Sequence, residues 1–101
     1  MTNKFFLVDL TYIRPLEEVD ALKDAHIEFL KQQYAQGYFI FSGPKEPRDG
    51  GVILAKMQTR NALDAVLALD PFKKAGVARY GVTEFSPVMC ADGFKDFIDT
   101  P

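Results

Sequence analysis

Two kinds of apolar pattern succeed each other along this chain, and their order leaves few possible folds. Runs rich in β-branched and aromatic residues, which favour strands, occur four times. Segments with apolar residues at three- and four-residue steps, which favour helices, separate the first run from the second and the third from the fourth. The order predicts an α+β protein with the element sequence β-α-β-β-α-β.

The first half of the chain is predicted to form a strand, a long helix and a second strand. Residues 4–12 are strand-like and end before Arg14-Pro15. A helical pattern then runs from Leu16 to Gln36, and Gly37 is suited to end it. The aromatic run Tyr38–Phe41 is the predicted second strand.

The second half begins with a segment rich in proline and glycine, Ser42–Gly51, which is typical of a hairpin connection. The elements predicted after it are, in chain order, a strand at Val52–Met57, a helix capped by Thr59 and closed by Asp70-Pro71, one further turn at Pro71–Ala75, a strand at Val77–Val88 and a short helix at Gly93–Ile98.

This element order is the ferredoxin-like arrangement, in which both helices cover one face of a four-stranded antiparallel sheet. Strands with one buried face alternate apolar with polar residues, yet Phe5–Val8, Tyr38–Phe41 and Val52–Leu54 are apolar on both sides. Two helices leave the second face uncovered. The sequence therefore predicts a homodimer that packs through this sheet face.

Composition narrows the function classes. The 101 residues are 48% hydrophobic, enough for one domain over 1–101, with a short tail at about 90–101, that folds without a structural metal. A net charge of -2 with dispersed lysine and arginine favours neither nucleic acid nor a membrane surface as partner. The apolar stretch Phe5–Val8 is too short for a leader or membrane span, and the lone Cys90 fits a reducing compartment, so we expect a cytoplasmic protein.

The candidate catalytic residues are His26 and Asp70. His26 is the one histidine of the chain, and histidine is the residue type best suited to acid-base work near neutrality. It shares a helical face with Leu22 and Phe29, so it is expected to point towards the sheet. Asp70 closes the second helix, which packs on the same face. Each has a structural alternative: His26 as a half-buried histidine bonded to a backbone carbonyl, Asp70 as an N-cap.

The candidate substrate-binding residues are Ser42, Gly43 and Arg48. Ser42 and the amide of Gly43 follow the second strand and are suited to line a small-molecule site, while the guanidinium of Arg48 suits a carboxylate. The alternatives are a plain turn and a solvated loop charge. No cofactor is expected.

The set His26, Gly37, Ser42-Gly43-Pro44, Gly50-Gly51, Asp70-Pro71-Phe72 and Ala75-Gly76 resembles the YciI-like (YCII-related) family over about residues 4–87. The resemblance implies a dimeric α+β barrel with an active site at His26 and Asp70. Its few members with an assigned activity are dehydrochlorinase-like enzymes.

Three functions remain open at the level of sequence. One is a cofactor-free lyase or isomerase in which His26 is the base, Asp70 orients it, and Ser42 and Arg48 hold the substrate. Another is a non-catalytic module that binds a small molecule in the same pocket, and the last is a structural dimer in which His26 and Asp70 only satisfy each other.

Overall fold

The computed structural model describes residues 4–99, within which it has four strands and five helices. The elements, in chain order, are β1 (Lys4–Tyr12), α1 (Leu16–Ala21), α2 (Lys23–Ala35), β2 (Phe39–Pro44), β3 (Gly50–Met57), α3 (Arg60–Leu67), α4 (Pro71–Lys74), β4 (Ala78–Phe85) and α5 (Lys95–Asp99).

The strands form one sheet in the order β2-β3-β1-β4, and every neighbouring pair is antiparallel. Strand β3 thus lies between β1 and β2, and β1 lies between β3 and β4, as two interleaved β-α-β units require. The predicted α+β, ferredoxin-like fold is confirmed.

One face of the sheet carries the core because every second residue of β1 points towards the helices. Phe6, Val8 and Leu10 are at most 2% exposed. From the helix layer, Val19 and Leu63, both fully buried, pack into the same core. The apolar residues at helical spacing in the helices and those at every second position of the strands therefore pack into one core, as the two spacings predict.

The structure departs from the predicted elements at three main places, and in addition β3 begins at Gly50 rather than at Val52. The predicted helix 16–36 is two helices, because the backbone at Leu22 leaves helical geometry with ψ near 1°. Strand β2 runs on through Ser42–Pro44, which sequence reasoning had assigned to a turn, and it contains a bulge between Phe39 and Phe41. Strand β4 ends at Phe85, before the proline at position 87 that cannot donate to a ladder.

Helices α1 to α4 pack on one face of the sheet, and the opposite face combines exposed apolar side chains with polar ones such as Asp9 and Thr83. Leu7, Phe41 and Phe85 are 42%, 57% and 41% exposed on that side. Strand β3 adds Leu54, which pairs with Leu7. Near one end of this face, the Lys56 ammonium donates a hydrogen bond to the Phe97 carbonyl, which ties the C-terminal helix α5 to the sheet. We call this surface the open face.

Candidate active site

The structure brings His26 and Asp70 together. His26 lies on α2 and Asp70 directly precedes α4, 44 residues later, yet Nδ1 of His26 is 2.8 Å from Oδ1 of Asp70. The Asp70 side chain is fully buried and the His26 side chain is 14% exposed. A buried carboxylate thus holds the inner edge of an imidazole whose outer edge is accessible.

Asp70 is fixed from three directions. It caps α4, since Oδ1 accepts the Phe72 amide at 3.0 Å and Pro71 occupies the first helical position. Oδ2 accepts a hydrogen bond from the Tyr80 hydroxyl. Together with Nδ1–H of His26, these donors occupy three of the roughly four acceptor sites of a carboxylate, so the capping role and the histidine contact coexist.

The tautomer of His26 follows from its partner. When Nδ1–H donates its hydrogen bond to the Asp70 carboxylate, Nε2 is left as the acceptor nitrogen of the neutral ring. No buried side-chain nitrogen or oxygen in residues 4–99 lacks a hydrogen-bond partner, and Nε2 has none, so Nε2 is open rather than buried. An open acceptor nitrogen is the arrangement that a general base needs.

A second contact fixes the plane of the imidazole. The rings of His26 and Phe72 stack with centroids 3.9 Å apart and planes 9° from parallel. Phe72 is 3% exposed and is two residues from Asp70, so the same short turn orients both the edge and the face of the histidine ring.

His26 and Phe72 form part of the wall of a cavity of about 440 Å³ between α2 and the helix-covered sheet face, a size that fits a small organic molecule. Most of the lining is apolar. The lining residues are Leu10, Tyr12, Lys23, His26, Ile27, Leu30, Ser42, Gly43, Pro44, Arg48, Gly51, Val52, Ile53 and Phe72.

Ser42, Gly43 and Arg48 all line this cavity, and two of them already have partners. The Ser42 hydroxyl is hydrogen-bonded to that of Tyr34 on α2. A terminal nitrogen of Arg48 donates to Asp20, and this ion pair lowers the pKa of Asp20 and raises that of Arg48. The guanidinium is 5.9 Å from the centre of the Tyr12 ring, which also lines the cavity.

Sequence reasoning missed the cavity-lining Lys23 and also Tyr80. Burial, followed by the Asp70 charge, raises the pKa of its hydroxyl, so Tyr80 remains a neutral donor to Asp70. Its position on β4 opposite Leu10 places it on the helix-covered face, and a tyrosine at a core position of a strand is the signal that could have found it.

Two further observations bear on the class of site. Among residues 4–99, no three His, Cys, Asp or Glu side chains are grouped as metal ligands. In the same range, no helix has the length and hydropathy needed to span a membrane.

The fold and the site define a small ferredoxin-like α+β protein with a histidine-carboxylate pair beside a ligand-sized cavity. The family model of the YCII-related domain matches residues 5–86, and the chain belongs to that family.

Solved structures also match this chain, and one of them is similar over most of both chains. It is 5-chloro-2-hydroxyhydroquinone dehydrochlorinase (TftG) from Burkholderia phenoliruptrix AC1100 in complex with 2,5-dihydroxybenzoquinone, with a TM-score of 0.70 and 20% identity over 80% of this chain and 92% of the neighbour. This likeness shows the fold. No curated protein matches the chain.

Proposed function

We propose that this protein is a cofactor-independent lyase or isomerase in which His26 removes a proton from a small organic substrate. The observation that carries the proposal is the geometry of His26: Nδ1 lies 2.8 Å from buried Asp70, while the rest of the ring forms part of a cavity wall. Asp70 orients the base and balances the imidazolium that forms, and Tyr80 holds Asp70.

The proposed step begins with transfer of a proton from an acidic C–H or O–H of the substrate to Nε2 of His26. The electron pair of the broken bond remains on the substrate, as an enolate or a related anion. In a lyase, that pair forms a double bond while a leaving group departs with its own electron pair, and the imidazolium later releases the proton. In an isomerase, the imidazolium returns the proton to a different atom.

Ser42, Gly43 and Arg48 are the proposed substrate contacts. All three belong to the cavity lining, with Ser42 and Gly43 on β2 and Arg48 in the turn before β3. Arg48 has N–H groups beyond the one that Asp20 accepts, so it retains donors for a substrate oxygen.

The similar solved structure supports the elimination reaction in particular. The similar structure is that of a dehydrochlorinase that contains a quinone ligand. Elimination of a halide needs a base and a place for the departing anion. His26 is the proposed base, and the cavity beside it, with Lys23 and Arg48 in its lining, is the proposed place for the anion.

The test is a screen of enolisable acids and halogenated phenols for turnover, with His26→Gln as the critical variant. Loss of the base should reduce kcat by about 100- to 10,000-fold. Glu28→Gln is the matched control, since Glu28 is exposed on the same helix and does not line the cavity. Unchanged turnover in His26→Gln would remove the histidine from the mechanism, and binding without turnover in the unaltered protein would favour a non-catalytic binding module.

We also propose that two copies associate through the open face. Leu7, Phe41, Leu54 and Phe85 form an exposed apolar surface on a four-stranded sheet, and soluble proteins rarely leave such a surface in water. Sedimentation equilibrium should then give twice the 11.4 kDa mass of one chain. A single-chain mass at micromolar concentration would refute the dimer.

A further inference from the structure

The charged side chains that line the cavity all have the same sign. Apart from His26, they are Lys23 and Arg48, and no aspartate or glutamate belongs to the lining. The whole chain has the opposite bias, with 14 acidic against 12 basic side chains. A cavity lined by cations alone in an acidic protein favours an anionic occupant.

The two cations lie at one end of the cavity, near Asp20. Arg48 donates a hydrogen bond to Asp20, and the charges of Arg48 and Lys23 both contribute to lowering the pKa of that carboxyl. Two positive groups and one negative group leave this end with a net positive charge. Lys23 itself forms no salt bridge with any side chain in the described part of the chain.

The position of Lys23 relative to the base is set by α2. Lys23 and His26 are three residues apart on this helix, so their side chains lie on the same face, one turn from each other. A substrate that contacts both therefore places its anionic group about one helical turn from the atom that loses the proton. Arg48 reaches the same end from the turn between β2 and β3.

The remainder of the wall is apolar. Leu10, Ile27, Leu30, Ile53 and Phe72 surround the space next to the cations. Such a surface suits a hydrocarbon ring and disfavours a sugar or another polyhydroxylated molecule, whose hydroxyl groups would lose hydrogen bonds to water without replacement.

From these observations, and resting on the proposed function of the same cavity, we propose that the substrate is a small aromatic or enolisable carboxylate. Its carboxylate binds between Lys23 and Arg48, its ring lies on the apolar wall, and its acidic hydrogen faces His26. Removal of that proton by His26 adds a negative charge to the substrate, and the two cations stabilise the anion that develops.

The test compares two ligands of the same shape and different charge, salicylate and salicylamide, by calorimetric titration at neutral pH. We expect salicylate to bind at least about tenfold more tightly. Lys23→Gln and Arg48→Gln should each weaken salicylate by about three- to tenfold and leave salicylamide within about twofold. Raising the salt concentration should weaken salicylate alone.

Two matched variants control for the loss of any positive charge. Lys31→Gln removes an exposed lysine of the same helix that does not line the cavity. Arg60→Gln removes an arginine that, like Arg48, is paired with an aspartate on the surface. Neither should change salicylate affinity, and circular dichroism melts check that all four variants fold.

Equal affinities for the two ligands, no binding of either at millimolar concentration, or equal losses in the control variants would each overturn the carboxylate assignment. These outcomes are distinct from failure of the proposed function. Salicylate binding that depends on Lys23 and Arg48, in a protein without turnover of any acid, would support this assignment and refute the enzyme. Turnover confined to uncharged compounds would support the enzyme and refute the carboxylate assignment.

Discussion

The two faces of the sheet are built from the same strands and differ in almost every other respect. On the helix-covered face, Phe6 and Val8 are fully buried, and the buried Asp70 carboxylate accepts three hydrogen bonds. On the open face, Leu7 and Phe41 remain 42% and 57% exposed. Alternation along a strand assigns residues to faces, but what covers a face decides whether it stabilises the protomer, binds a ligand or associates with another chain.

The largest expected effect contrasts one phenylalanine from each face. Phe6→Ala should lower the free energy of unfolding by about 3–5 kcal/mol, because it empties a fully buried site. Phe41→Ala removes a ring that is already 57% exposed and should cost less than about 1 kcal/mol. Urea denaturation at protein concentrations low enough to keep the chains monomeric measures the free energy of unfolding of both variants. Equal losses of stability in the two variants would contradict the difference between the faces.

A charge on the open face should act on association rather than on folding. Leu7→Glu should weaken the proposed dimer by more than about 100-fold, because the carboxylate would be buried between two sheets without a partner. The control is Leu69→Glu, at an exposed leucine after α3 and outside the open face. Sedimentation velocity over a range of concentrations measures the dissociation constant; the same change in both variants would rule out the open face as the interface.

A smaller effect is expected at the covered face, at the hydroxyl that holds Asp70. Tyr80→Phe should cost about 1–2 kcal/mol of stability, because a buried carboxylate loses a donor. Since the chain has one histidine, proton-nitrogen NMR reports the His26 ring without ambiguity, and the Nδ1–H resonance should move downfield, because a carboxylate with one donor fewer accepts the imidazole hydrogen bond more strongly. Tyr34→Phe, which removes a hydroxyl bonded to Ser42 instead, should leave that spectrum unchanged.

The smallest effect concerns pH and the ion pair at the cavity end. Arg48 lowers the pKa of Asp20, so the pair stabilises the folded protein above the ordinary pKa of an aspartate, and this contribution disappears as the pH falls through the lowered value. Asp20→Asn should therefore reduce the decrease in melting temperature between about pH 6 and pH 2. An identical decrease in both proteins would show that the exposed pair contributes nothing.

Local periodicity was sufficient to predict most of the fold. The spacing of apolar residues predicts the element order, and it places His26 and Asp70 on elements that cover the same face. The break at Leu22 was not predictable, because that residue favours a helix and no glycine or proline marks the site. The extension of β2 through Ser42–Pro44 depends on pairing with β3, which outweighs the turn preference of those residues.

The candidate site was predictable only where local sequence marks its residues. Asp70-Pro71 marks a cap in the local sequence, and His26 is conspicuous as the one histidine. The contact of Tyr80 with Asp70 and the stacking of Phe72 on His26 depend on how α4 lies against β4 and α2. No local pattern in the sequence encodes those distances.

The turn Asp70-Pro71-Phe72 supplies both contacts that orient the His26 ring. Asp70 accepts a hydrogen bond from the edge of the His26 ring and Phe72 stacks on its plane, so a displacement of the turn changes both contacts together. Since His26 is itself anchored on α2, the direction in which Nε2 faces the cavity depends on how α4 lies against α2. A change in the spacing of these two helices therefore reaches the reactive nitrogen through both contacts at once.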